Sequence, residues 1–303
     1  MSTITSSPDR ASGFTSLARR GSVFLYKKTK VGLALLLTPP LFWLVMVYIA
    51  SLAALLVTAF WTVNSFTGDI VFEFTFDNFV KVLTQATYHA VTLRTVGIAL
   101  AVTLIDLAIA LPLAFFMAKV ASPAWQKFLV ISISLPLWAS YLVKAYAWRS
   151  VLSEGGILEW GLAPLGITSP GYGLEGTVLT LSYLWLPFVV IPIYSAFTRV
   201  PNSILEASAD LGGKPWRTIR SIVIPMAVPG IIAGTIFSFS LTLGDYIAVK
   251  IVGGATQTLG TLIYSNVGTA NNLPLAAAIA FVPLVTILVY LAAVRRTGAL
   301  ENL

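Results

Sequence analysis

From Val31 to Gly68 the chain carries no charged side chain. That run decides more about the fold than any other stretch. A secretory leader has an apolar core of about 7–15 residues, and this run is far longer, so it reads as a retained membrane span. Further uncharged apolar runs long enough to cross a bilayer, near 20 residues each, recur to the end of the chain. Only 10% of the residues are charged and 57% are hydrophobic, against about 25% charged in a soluble domain. The alternating pattern of a transmembrane barrel strand is absent. Helices remain, because backbone groups in lipid must pair within their own segment.

Six spans are expected, at about 33–61, 93–118, 128–149, 176–198, 225–244 and 274–294. Pro39 and Pro40 fall in the first turns of the first span as drawn, where proline is tolerated. The segment FEFTFDNFVKVL, between the first two spans, predicts a short helix with aromatic anchors. Residues 150–175 and 246–273 read as Gly-rich loops. Residues 1–30 form a Ser-, Thr- and Arg-rich tail.

Charge sets the orientation. Arg19, Arg20, Lys27, Lys28, Lys30, Lys119, Lys127, Arg199, Lys214, Arg217, Arg220, Arg295 and Arg296 all fall on one side of the six-span scheme. Asp69, Glu73, Asp77, Glu154, Glu159, Glu175 and Asp245 fall on the other. Lys and Arg near span ends stay cytoplasmic, so both termini are expected inside. The net charge of +7 therefore reports membrane orientation rather than nucleic-acid binding. With no cysteine and one histidine, His89, neither a disulfide nor a His/Cys metal site is expected.

One cytoplasmic stretch stands out, PNSILEASADLGGKPWRTIRSIVIP, residues 201–225. Asn202 or Ser203 can cap a helix, and Ser203 and Glu206 have capping-box spacing, which predicts a helix from about Ile204 to Leu211. Gly212 and Gly213 would end it, and Pro215 suits the first turn of a second helix. Ala207, Ser208, Ala209 and Gly212 are small, so another surface can approach closely.

This segment resembles the EAA loop of ABC-importer permeases: Glu-Ala-Ala, three residues, Gly, nine residues, Ile, one residue, Leu-Pro. Here Glu206, Ala207, Ser208, Gly212, Ile222, Ile224 and Pro225 keep every spacing, with Ser208 and Ile224 as departures. Three further stretches are similar to permeases of spermidine/putrescine-type importers: Ser134–Leu158, Ser182–Phe197 with Pro187 and Pro192, and Leu241–Gly254. The resemblance covers roughly residues 30–295. It implies an all-α integral membrane protein with the type I ABC-importer permease fold, its transmembrane domain spanning 31–303 and its coupling loop 201–224. It further implies a bacterial inner-membrane subunit working beside a second, homologous permease. Two copies of an ABC ATPase and an external solute-binding protein would complete the complex. The coupling loop would seat in the ATPase through Ser203, Glu206, Ala207, Ser208, Ala209, Gly212, Lys214 and Pro215.

The sequence contains no Gly-x4-Gly-Lys-Ser/Thr phosphate cradle. This chain is therefore expected to bind no cofactor and catalyse nothing itself, with ATP and Mg at the partner ATPase. Within the spans, polar residues are costly and mark candidate roles. Asp245 and Tyr246 offer a carboxylate beside a ring, which suits an ammonium cargo. Trp138, Tyr141 and Asp106 are the other pathway candidates. Asp106 reads also as a helix–helix contact, and Asp245 as a cap for the loop that follows. Lys144 and Arg149 read as either snorkelling or gating residues. A polyamine is the expected cargo. An opine, amino-acid derivative, phosphonate, thiamine or ferric iron would use the same machinery. An ion-coupled secondary transporter would need intramembrane carboxylates in repeated halves, and a scaffold would make the EAA match accidental.

Overall fold

The computed structural model describes residues 29–64 and 66–295; the basic tail, Arg296 and the last residues lie outside them. The chain divides into two units, Met1–Val57 and Thr58–Leu303.

In the first unit, α1 (Thr29–Leu44) passes through a π turn, Val45–Ile49, into α2 (Ala50–Thr58). The helix starts before the expected boundary, so Pro39 and Pro40 lie well inside α1 rather than in its first turns. It stops at Thr58, leaving Phe60 and Trp61 outside the span.

The second unit begins with a small hairpin, β1 (Thr62–Val63) against β2 (Ile70–Val71), antiparallel with Thr62 opposite Val71. Among the described residues it is the single strand pair in an otherwise helical chain. Then come α3 (Asp77–Thr84) and α4 (Ala86–Phe115), the latter prolonged by a π turn to Val120. The second span thus begins seven residues before the expected position 93, at Ala86. Next follow α5 (Pro123–Trp138), α6 (Tyr141–Leu152), α7 (Ile157–Leu162) and α8 (Leu174–Arg199). The chain ends with α9 (Asn202–Asp210), α10 (Pro215–Thr218), α11 (Ile224–Gly244), α12 (Ile247–Val252), α13 (Leu259–Val267) and α14 (Leu273–Arg295).

Among the described residues, five helices are long and apolar enough to cross a membrane, and a bent pair makes up to six. That pair corrects the third span. Instead of one helix over 128–149, α5 and α6 meet at 99°. Ala139 (ψ 141°) and Ser140 (ψ 138°) are extended and break the helix. They follow shortly after Pro136, which cannot donate to the preceding turn. The fifth span is corrected too. It runs from Pro215, not 225, through a π turn at Ile219–Val223 into α11. A proline inside a helix collides with the carbonyl four residues back, and the π turn widens the helix just before Pro225. The expected loop 246–273 contains two short helices, α12 and α13, rather than irregular chain.

The most buried span is α8. Ala110, Ala114 and Met117 of α4 meet Val189, Val190, Ile193 and Phe197 of α8 and Ala227 of α11. Lipid tails are as apolar as leucine, so close backbone approach and interhelical hydrogen bonds select which helices touch. The approach of α11 to α8 is very close. A Cβ on Gly230 would stand 2.4 Å from the Ala196 Cβ and 2.6 Å from the Pro192 carbonyl oxygen. One turn on, a Cβ on Gly234 would stand 3.1 Å from the Val189 carbonyl oxygen. Pro192 and Pro187 lie inside α8.

Hydrogen bonds sort the second unit into two ends. At one end the Lys119 ammonium, closing α4, donates to the Val200 carbonyl (2.5 Å) and to Asn202 Oδ1 (3.0 Å). At the other, Asn78 Nδ2 donates to the carbonyls of Ala59 and Trp61. There also Gly173 N–H donates to the Val252 carbonyl, and Leu259 N–H to Thr95 Oγ1 (2.9 Å).

Candidate functional site

The EAA-like segment folds as a short exposed helix braced at both ends. Its start differs from the expected capping box. The chain enters α9 directly after Pro201, with Asn202 as the first helical residue and no side-chain cap. Ser203 and Glu206 therefore lie inside the first turns, past the position from which a side chain caps. The Lys119 ammonium reaches across from α4 instead and binds both Val200 and Asn202.

At the far end, Gly212 N–H donates to the Ala209 carbonyl (2.9 Å) and Gly213 N–H to the Ser208 carbonyl (2.8 Å). These are the two bonds of a Schellman stop. Gly212 takes φ +74°, a left-handed backbone that glycine adopts without steric cost. Among the described residues a Cβ there would meet nothing within 4 Å, so its requirement against them is backbone shape and not space. Ser208, which replaces the second alanine of the family pattern, shares a hydrogen bond of 2.7 Å with Thr218 Oγ1. This ties α9 to α10, and through the π turn to α11.

No residue of α9 is buried. Ser203, Glu206, Ala207, Ala209, Gly212, Lys214 and Pro215 are all exposed, and Ser208 is half-buried. Beside them Leu211 is 89% exposed and Trp216 69%. Between α9 and the α10 region lies a groove of about 460 Å³, lined by Ala207, Ser208, Leu211, Gly212, Arg217 and Ile222 among others. Large apolar side chains left open beside small residues and a groove mark a surface made to be covered.

The pathway candidates divide. Tyr141, the first residue of α6, donates from its hydroxyl to Asp245 Oδ2. Asp245 Oδ1 accepts from the Ala248 N–H (2.9 Å). The carboxylate thus closes the turn between α11 and α12 and holds α6 to it. Asp245 is buried, and the Tyr141 ring lies against the Trp185 indole of α8 at 5.8 Å. Trp138, at the end of α5, is 90% exposed. Tyr246 stacks on Tyr264 of α13 at 5.0 Å.

Asp106 stands away from all of these, fully buried in α4, where Ser238 of α11 donates to its Oδ2 at 2.7 Å. Ser182 of α8 faces the same carboxylate, and among the described residues no hydrogen bond reaches the buried Thr242 hydroxyl. Lys144 is half-buried, and the Arg149 guanidinium lies 5.7 Å from the Tyr172 ring centre, whose hydroxyl donates to the Arg149 carbonyl.

Sequence reading overlooked Lys119 as a brace, counting it only as a topology charge. It also overlooked the Gly230–Gly234 seam, although a glycine pair four apart in an apolar helix is a legible packing signal. The partnership of Tyr141 with Asp245, 104 positions apart, left no local sign.

A broken, proline-rich helical bundle with one exposed helix between two spans is the arrangement that the EAA-like spacing implied for an ABC-importer permease. The chain belongs to the family of binding-protein-dependent transport system inner membrane components, whose model matches residues 110–296. It is 41% identical to the inner membrane ABC transporter permease protein YdcU of Escherichia coli K12, over 93% of this chain and 95% of that protein. It is 31% identical to the spermidine/putrescine transport system permease protein PotB of Haemophilus influenzae, over 69% of this chain and 74% of that one. In fold it matches a chain of the bacterial alginate ABC transporter in complex with its alginate-bound periplasmic protein. The TM-score is 0.71 at 16% identity, covering 89% of this chain and 95% of that chain. The protein is accordingly a multi-pass permease subunit of an ABC importer in a bacterial inner membrane, and members of this family are membrane components rather than catalysts.

Proposed function

We propose that this permease carries a polyamine inward, driven by an ATPase that grips α9. The observation that carries the reading is the double bracing of an otherwise exposed helix. Lys119 fastens its start to α4 and the Ser208–Thr218 bond fastens its end to the α10–α11 span. A push on Glu206–Gly212 would therefore be delivered to two spans at once rather than absorbed by a slack loop. Ser203, Glu206, Ala207, Ser208, Ala209, Gly212, Lys214 and Pro215 form the contact surface in this reading. Two ATPase copies, holding ATP and Mg, would close on α9 and its counterpart in a second, homologous permease. Closure opens the pathway toward an external binding protein, and hydrolysis returns it inward. Both termini and α9 lie on the cytoplasmic side, in keeping with their Lys and Arg.

The polyamine reading rests on the likeness to PotB and on the chemistry of Asp245 and its neighbours. Trp138, Tyr141, Asp245 and Tyr246 would line the route, with rings to face an ammonium and a carboxylate to pair with it. In the present arrangement Tyr141 covers that carboxylate, so cargo would take the place of the phenol. Asp106 would serve the route from behind, pinning α4 to α11 through Ser238.

The test is reconstitution in liposomes with the cognate ATPases, second permease and binding protein. ATP-dependent uptake of labelled spermidine or putrescine is expected, and Asp245→Asn should weaken it without loss of the assembled complex. Saturable uptake of an opine, phosphonate, thiamine or ferric iron, with none of a polyamine, would replace the cargo. Uptake that persists without the ATPase would overturn the mechanism.

A further inference from the structure

Lys250 sits in α12, one helical turn beyond Tyr246, and its own N–H donates to the Tyr246 carbonyl (2.9 Å). Its ammonium lies 4.0 Å from the ring centre of Tyr264. Tyr264 in turn stacks on Tyr246, with planes 19° apart. Lys250 and Tyr264 are both exposed. Among the described residues, no carboxylate pairs with the Lys250 ammonium. The cation therefore has a ring face where a counter-ion would be expected. A lysine side chain is a primary amine on a four-carbon stem, the same chemistry as one end of a linear diamine.

We propose that the stacked Tyr246–Tyr264 pair is an ammonium-binding platform that Lys250 occupies until an amine cargo displaces it. This rests on the amine-cargo reading above and adds to it a tethered competitor. The cargo's ammonium meets the same ring face, and the freed lysine returns when the cargo moves on. A tethered group competes at a high local concentration, so the platform is closed to weak or scarce cations and opens to amines supplied at high local level.

Removing the competitor should therefore tighten amine binding. A cation–π contact at an exposed site corresponds to about a two- to fivefold change in affinity. In the reconstituted complex, Lys250→Met should lower the apparent KM for putrescine by about that factor, and Lys250→Arg, which keeps a cation on the ring, should not. Tyr264→Leu should raise KM, and Tyr264→Phe, which keeps the ring face, should leave it near the parent value. The deciding measurement is the double variant. If the ring is where Lys250 competes, the gain from Lys250→Met vanishes in the Tyr264→Leu background. If the gain persists there, the lysine acts only as a general positive charge and the platform is refuted. An unchanged KM in Lys250→Met refutes it as well.

A second readout separates this inference from the cargo reading. Putrescine binding to the purified permease complex in nanodiscs can be followed by NMR of labelled tyrosine rings. Ring shifts at Tyr246 and Tyr264 that grow in Lys250→Met support the platform even if the complex imports no amine, in which case only the cargo reading falls. Import of amines with no ring response and no KM change leaves the cargo reading intact and removes the platform.

Discussion

The two ends of the second unit use polar groups in opposite ways. At the α9 end the polar and small residues are open to solvent, and two side-chain contacts do the fastening, from Lys119 and from Ser208. At the α12 end the groups that hold the elements together, Asp245 and Thr95, are buried and paired across elements. Asp245 is shared by the Tyr141 hydroxyl and the Ala248 N–H, and Thr95 holds the first N–H of α13. The first arrangement suits a surface that must be gripped and released. The second suits an element that must keep its shape while its neighbours move. An exposed hydrogen bond competes with water and is weak, whereas a buried one is costly to leave unmade.

The largest expected difference between the ends is in how they respond to bulk. Gly212→Trp should abolish uptake and ATPase stimulation while the protein still inserts at normal level, since among the described residues nothing lies within 4 Å of a Cβ at that exposed position. Gly212→Ala sharpens the point. It meets only the cost of a left-handed backbone, about 1–2 kcal/mol, and should keep most of the transport. Normal uptake in Gly212→Trp, measured beside membrane-fraction immunoblots, would remove α9 as the docking helix.

Next in size is a change at the buried end. Asp245→Ala leaves the Tyr141 hydroxyl and the Ala248 N–H without their acceptor. Each orphaned buried group costs about 1–3 kcal/mol, so the variant should lose thermal stability in detergent. Fluorescence-detected size exclusion after heating checks this. A midpoint equal to the parent's would mean the carboxylate is not what holds α6 to α12.

Smaller again, Lys119→Met should uncouple rather than unfold. Uptake should fall several-fold while ATPase activity becomes less dependent on the binding protein, because the start of α9 is no longer fastened to α4. An equal fall in thermal stability and in uptake would instead make Lys119 an ordinary structural contact. The smallest effect is expected from Ser208→Ala. It removes one half-exposed bond, worth about 0.5–1.5 kcal/mol, and restores the alanine of the family pattern. A modest loss of transport is expected, the smallest of the series, and rates equal to the parent's would show that the Ser208–Thr218 tie carries no part of the push.

The Gly212 stop and the exposed α9 were legible because both depend on local rules. Helices commonly end in a left-handed residue, which glycine supplies, and a short polar segment between two apolar runs stays at a surface. The absent capping box was misread for an equally local reason. Pro201 takes the N-cap position, two residues before Ser203.

What the sequence determined by itself is the class of molecule: long uncharged runs that leave water, basic residues gathered at alternate loops, and a spaced EAA-like segment between two spans. Each of these is a property of residues near one another in the chain. Which side chains meet was decided only by the tertiary structure. Tyr141 finds Asp245, Lys119 finds Val200, Ser238 finds Asp106, and α6 turns 99° from α5. Hydrophobicity says that a segment leaves water, but lipid and a neighbouring helix satisfy it almost equally. Partner choice therefore falls to close backbone approach, as at Gly230, and to polar pairs between residues distant in sequence.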